Sequence, residues 1–147
     1  MMEYHDIAQR PPLCPVPVFQ QRVGAGFPSP AADYAEGRLD FNRLLVHRPA
    51  STFAVRITGT SMVGAGIVDG GMVVVDRSVK PVPGKVIVAI VDGSLVVKRL
   101  RKDRDGSIYL DSHPAPGHED MHPPIRIGDG MQFEVWGCVT SAITFMA

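Results

Sequence analysis

Residues 52–58 alternate, with Phe53, Val55 and Ile57 on one face and Ala54 and Arg56 on the other. A period of two is what a half-buried strand requires. Residues 72–75 form a short β-branched run entered through Asp69-Gly70-Gly71. Residues 85–91 (KVIVAIV) and 94–100 (SLVVKRL) flank Asp92-Gly93, a dipeptide suited to the positive φ angles of a two-residue hairpin. Residues 107–110 and 132–146 supply further strands, the last long enough to bend at Gly137. Two short helices are expected. Residues 29–37 offer Ser29 as N-cap, Pro30 at the first helical position and Gly37 as a stop; residues 40–46 open on Asp40 and end before Pro49. Short strands with Gly/Pro punctuation predict a mostly-β domain of antiparallel strands.

The prolines are unevenly spread. Pro11, Pro12, Pro15, Pro17, Pro28 and Pro30 crowd one stretch together with Gly24 and Gly26. Proline lacks an N–H and restricts the residue before it, which excludes a long helix or a central strand there. Residues 1–30 therefore read as a flexible, extended arm, and residues 31–147 as the β domain.

The 147 residues suit one domain, and 45% apolar content suffices for one core. Fifteen basic and fifteen acidic residues cancel. That balance argues against an autonomous nucleic-acid binder, though not against a partner that binds DNA. No run of about 18 apolar residues is present, which excludes a membrane span. No apolar leader precedes Pro11, and Cys14 and Cys138 stand far apart, outside any metal-ligand spacing. The expectation is a soluble, cytoplasmic chain with reduced cysteines and no cofactor.

Three places could carry chemistry. Gly59-Thr60-Ser61-Met62 follows a strand, so Ser61 is a candidate nucleophile whose neighbouring backbone N–H groups could hold an oxyanion. Taken alone, such a serine is more often a turn residue. None of the histidines, at positions 5, 47, 113, 118 and 122, lies in a core strand, which makes a Ser-His-Asp triad unpromising. Lys98 shares a strand face with Val96 and Leu100. A lysine held in apolar surroundings loses its charge, and the neutral amine is a competent base for a serine hydroxyl. The plainer alternative is a lysine snorkelling at a sheet edge. His118-Glu119-Asp120-Met121-His122 matches H-E-x-x-H, but Pro114, Pro116, Gly117, Pro123 and Pro124 preclude the helix that zinc chemistry needs, so no metal site is expected.

Together these residues resemble the UmuD-type SOS mutagenesis proteins, relatives of the LexA-type repressors and self-cleaving Ser-Lys peptidases. Residues 25–34 (AGFPSPAADY) resemble the family's cleavage segment. Gly59-Thr60-Ser61-Met62 with Gly66-Ile67-Val68-Asp69-Gly70 resembles its nucleophile turn. Gly84-Lys85-Val86-Ile87-Val88-Ala89 and Val96-Val97-Lys98-Arg99-Leu100 resemble the strands that end in the lysine base, and Val135-Trp136-Gly137-Cys138-Val139 the C-terminal strand. Thr60 stands where UmuD-type proteins often carry aspartate.

The resemblance implies a LexA/UmuD-like peptidase β-domain with Ser61 as nucleophile, Lys98 as general base and backbone N–H groups of Thr60 and Ser61 at the oxyanion. It implies cleavage between Ala25 and Gly26, promoted by a RecA filament on single-stranded DNA. The processed form would act as a homodimer with a Y-family translesion polymerase. Only 25 residues precede Gly26, too few for a repressor's DNA-binding domain, so direct DNA recognition is not expected. Two alternatives are a non-cleaving adaptor of the same fold and a signal-peptidase-like enzyme acting on other chains.

Overall fold

The computed structural model describes residues 3–7, 12–19 and 35–146. Three strands come first: β1 (Glu3–Asp6), β2 (Pro15–Phe19) and β3 (Ala35–Asp40). A single helical turn, α1 (Phe41–Leu45), follows, and then β4 (Thr52–Arg56), β5 (Met72–Asp76), β6 (Val86–Val91) and β7 (Ser94–Lys102). The chain ends with β8 (Ile108–Asp111), β9 (Ile125–Arg126) and β10 (Phe133–Ile143). An eight-stranded sheet runs in the order β1-β4-β5-β10-β6-β7-β8-β9, every pair antiparallel, and β2 and β3 form a separate ribbon. The mostly-β expectation is met.

Local sequence accounts for much of this. Asp92 and Gly93 take φ values of 47° and 84° and join β6 to β7 with Val91 opposite Ser94. Those angles belong to the hairpin turn whose twist matches its strands. Asp40 caps α1, its carboxylate accepting from the Asn42 N–H at 3.1 Å. Gly137 is the bend foreseen in β10: the ladder to β6 shifts register between Val135 and Gly137. A Cβ there would lie 2.7 Å from Val75 Cγ1, so only glycine lets β10 pass this close to β5.

Two clusters form the core. Phe53, Val55, Ile57, Met62, Ile67, Val73, Val75, Val88 and Val97 make one; Ile87, Ala89, Val91, Leu100, Leu110 and Cys138 make the other. The neighbours Ile87 and Val88 belong to different clusters, so β6 is covered on both faces, which explains its unbroken apolar run. Trp136 packs against the first cluster, its ring 6.1 Å from that of Phe53, and the Arg77 guanidinium sits over both rings at 5.8 and 4.9 Å.

One expectation is corrected. Ala35, Glu36 and Gly37 lie in β3, with Ala35 opposite Phe19 and Gly37 opposite Val18, and not in a helix over residues 29–37. Short helices are costly to nucleate, whereas in β3 these residues pair with β2 along one edge of the ribbon. The rest of that segment, residues 29–34, lies outside the described residues. Within residues 1–30, Glu3–Asp6 pair with β4 and Pro15–Phe19 with β3. A spacing of two puts the missing donors of Pro15 and Pro17 on one edge of β2, which a two-stranded ribbon tolerates.

Candidate functional site

Beyond β4 the chain still tracks β5: the N–H of Ile57 donates to the Gly71 carbonyl and the Gly70 N–H returns to Ile57, both at 2.9 Å. It then leaves the sheet in a turn closed by the Gly59 N–H, which donates to Asp69 Oδ1 at 2.7 Å. Met62 and Ile67 are buried and anchor the turn from below. Between these anchors Val63–Ala65 make one 3-10 turn. Ser61 therefore stands partly exposed on a segment fixed at both ends. Among the described residues the backbone N–H groups of Thr60, Ser61 and Met62 find no acceptor, and Ser61 Oγ has no hydrogen-bond partner.

Lys98 lies mid-strand in β7, opposite Ile87 of β6. It and Ser61 line one cleft of about 180 Å³, with Ile57, Met62, Ile67 and Val97 among its apolar walls. Burial of the Lys98 amine lowers its pKa, and the negative charge of Asp111 partly opposes that shift. The fall in pKa is the condition the neutral-base reading sets. Thr60 is exposed at the turn. Ala25 and Gly26 lie outside the described residues.

The structure adds residues that the sequence reading missed. Lys98 Nζ donates to Ser112 Oγ at 2.7 Å. The adjoining His113 N–H donates to the Ser61 carbonyl at 2.8 Å, and the His113 carbonyl accepts from the Gly64 N–H at 2.7 Å. Ser112 and His113 thus form a strap that touches both candidate residues. No local motif in the sequence marks it: Ser112 comes opposite Lys98 only through the register of β8 on β7, whose last pair is Arg99 opposite Asp111.

The H-E-x-x-H stretch holds a single 3-10 turn, Glu119–Met121, flanked by His118 and His122. Among the described residues no group of three or more His, Cys, Asp or Glu side chains could hold a metal ion. Likewise, none of their helices is long and apolar enough to cross a membrane.

Comparison with known proteins adds an independent finding. A family profile described as Peptidase S24-like matches residues 17–140. The chain is 38% identical over 136 residues to Protein SamA of Salmonella typhimurium, covering 92% of this chain and 89% of SamA. It is 51% identical over 84 residues to Protein ImpA of the same species, a match spanning 57% of this chain and 58% of ImpA. A LexA repressor of Azoarcus sp. is 40% identical over 122 residues, or 83% of this chain and 57% of the repressor.

Proposed function

The chain belongs to the Peptidase S24-like family, in its UmuD-type branch, and from that premise we propose that it is a self-cleaving serine peptidase of SOS mutagenesis. Ser61 is the nucleophile and Lys98 the general base. The observation that carries this reading is that Ser61 and a half-buried Lys98, far apart in sequence, line one cleft.

The chemistry follows from the groups. Neutral Lys98 takes the Ser61 hydroxyl proton as Oγ attacks the Ala25 carbonyl carbon. Backbone N–H groups at Thr60 and Ser61 stabilise the oxyanion. Collapse breaks the bond to Gly26, whose nitrogen takes the proton from the Lys98 ammonium. Water then hydrolyses the Ala25 ester and restores Ser61. A cleft this small favours an Ala-Gly junction, since a bulky side chain would hold the carbonyl away from Oγ.

In this reading a RecA filament on single-stranded DNA promotes the competent state. Residues 26–147 then serve as a homodimeric subunit of a Y-family translesion polymerase in the cytoplasm. Peptide hydrolysis is the switch and protein association the working function.

Intact mass after incubation at pH 7 and pH 10 tests the first half of the proposal. Loss of residues 1–25 from the wild type, faster at pH 10, and its absence in Ser61→Ala and Lys98→Ala is the expected result. Wild-type protein that stays whole even with a RecA–DNA filament would favour the non-cleaving adaptor.

A further inference from the structure

The proposed dyad leaves one strong contact unused: the 2.7 Å hydrogen bond from Lys98 Nζ to Ser112 Oγ. We propose that Ser112 is a positioning residue, which holds the Lys98 amine so that its lone pair is presented to Ser61. The inference rests on the self-cleavage reading and adds a residue to it.

A neutral amine carries two N–H donors and one lone pair on a stem with four rotatable bonds, and only the lone pair can receive the Ser61 proton. Rotation about the last carbon–nitrogen bond can turn that lone pair away from Ser61. An acceptor fixed on the backbone removes much of this freedom by engaging one N–H. Ser112 suits the task because its side chain is short and its place is set by register. It follows the last β7–β8 pair, Arg99 opposite Asp111, and so falls across from Lys98. The next residue, His113, holds the Ser61 carbonyl at 2.8 Å. Two consecutive residues thereby set both the base and the backbone of the nucleophile, so a shift of the strap moves the two together. Ser112 itself exchanges no proton.

The charged surroundings are simple. Asp111, at the end of β8, acts on Lys98 and is itself 3.8 Å from Arg101. Ile87 faces Lys98 from β6 and carries no charge. Among the described residues lining the cleft, Lys98 alone carries a full charge. The Ser112 hydroxyl accepts more strongly from an ammonium than from an amine, so it also favours the protonated form.

The experiment follows self-cleavage of the full chain from pH 7 to pH 10 for wild type, Ser112→Ala and Ser112→Thr, with Ser61→Ala and Lys98→Ala as controls. Fluorescence of the single tryptophan, Trp136, reports folding of each variant. Ser112→Ala is expected to lower the high-pH plateau about tenfold to a hundredfold. It should also move the inflection to lower pH, because the ammonium has lost its acceptor. Ser112→Thr should restore both. A folded Ser112→Ala protein with the wild-type plateau and inflection, beside inert controls, overturns the positioning role. So does a lower plateau with an unmoved inflection that threonine fails to rescue, which is the mark of a purely structural residue. Cleavage by Lys98→Ala or Ser61→Ala would sink the dyad itself, a failure read separately from that of Ser112.

Discussion

The backbone N–H of His113 donates to the carbonyl of Ser61 at 2.8 Å, binding the turn that carries the candidate nucleophile to the segment that leaves β8. The contact uses main-chain atoms only, so side-chain substitution at either residue leaves it available. Its weak point lies at Gly64. A Cβ on that residue would stand 2.6 Å from His113 Cδ2 and 2.8 Å from the Pro114 carbonyl oxygen. Gly64→Ala must therefore push the strap outward. The expected cost is about 1–3 kcal/mol of stability, with self-cleavage reduced further than stability alone explains. Urea unfolding followed by Trp136 fluorescence, beside intact-mass assays on the fraction that remains folded, checks both.

Asp111 opposes the effect of burial on Lys98. Burial lowers the Lys98 pKa and Asp111 pulls it partly back. Below the folded pKa the ammonium cannot take a proton, so cleavage should rise as pH climbs through that value. Asp111→Asn removes the opposing charge and shifts the half-maximal rate to lower pH, with the plateau unchanged. A shift to higher pH would contradict the assignment of Lys98 as the base.

Asp76 adds a pH-dependent contribution to stability in acid. Its burial raises the carboxyl pKa, but hydrogen bonds from the Ser78 hydroxyl, the Ser51 hydroxyl, the Ser78 N–H and Arg48 outweigh that effect and bring it from 3.8 down to about 2. A folded value below the unfolded one means the ionised group stabilises the fold above about pH 4. That contribution is lost as pH falls through about 2. Its size is roughly 2 kcal/mol, since each tenfold weakening of proton binding on folding is worth about 1.4 kcal/mol. Asp76→Asn should be less stable than wild type at pH 7, and urea midpoints of the two should converge toward pH 2.

Gly137 is the second position where a single carbon matters. Its Cβ would meet Val75 Cγ1 at 2.7 Å and the Asp76 carbonyl oxygen at 3.0 Å. Gly137→Ala should cost about 1–3 kcal/mol by forcing β10 away from β5, measured as a lowered thermal midpoint. Unlike the Gly64 variant, it should leave the cleavage rate of the folded fraction near wild type.

What the sequence revealed depended on whether the signal was local. Asp92-Gly93 fixed a hairpin because the turn demands its own φ angles, and the Thr52–Arg56 alternation gave β4 because one period repeats over consecutive positions. Asp40 marked the start of α1 by a side-chain bond within two residues. β2 was hidden by its prolines, which argue against strands in general and are tolerated only in a ribbon with free edges. The first three residues of β3 looked helical because capping residues preceded them and the partner strand lay on the far side of residues 20–34. Ser61 and Lys98 stood out in the sequence as candidates through a pattern spread across the chain, and the structure lines one cleft with both. Ser112 did not, because a serine before His-Pro carries no pattern of its own and acquires a role only through the register of β8 on β7.

The ladder between β2 and β3 has a consequence for the proposed cut. The bond between residues 25 and 26 lies in the stretch that joins these strands, while Pro15–Phe19 are paired to Ala35–Asp40 and Glu3–Asp6 to Thr52–Arg56. Hydrolysis breaks neither ladder. It replaces a covalent tether, and the high effective concentration that a tether imposes, with an ordinary binding equilibrium. Cleaved protein analysed by native mass spectrometry should therefore retain residues 1–25 when concentrated and lose them on dilution. Severing the chain and shedding the fragment become separate events, the first timed by chemistry and the second by dilution or competition. Only the second lays bare the edge of β4.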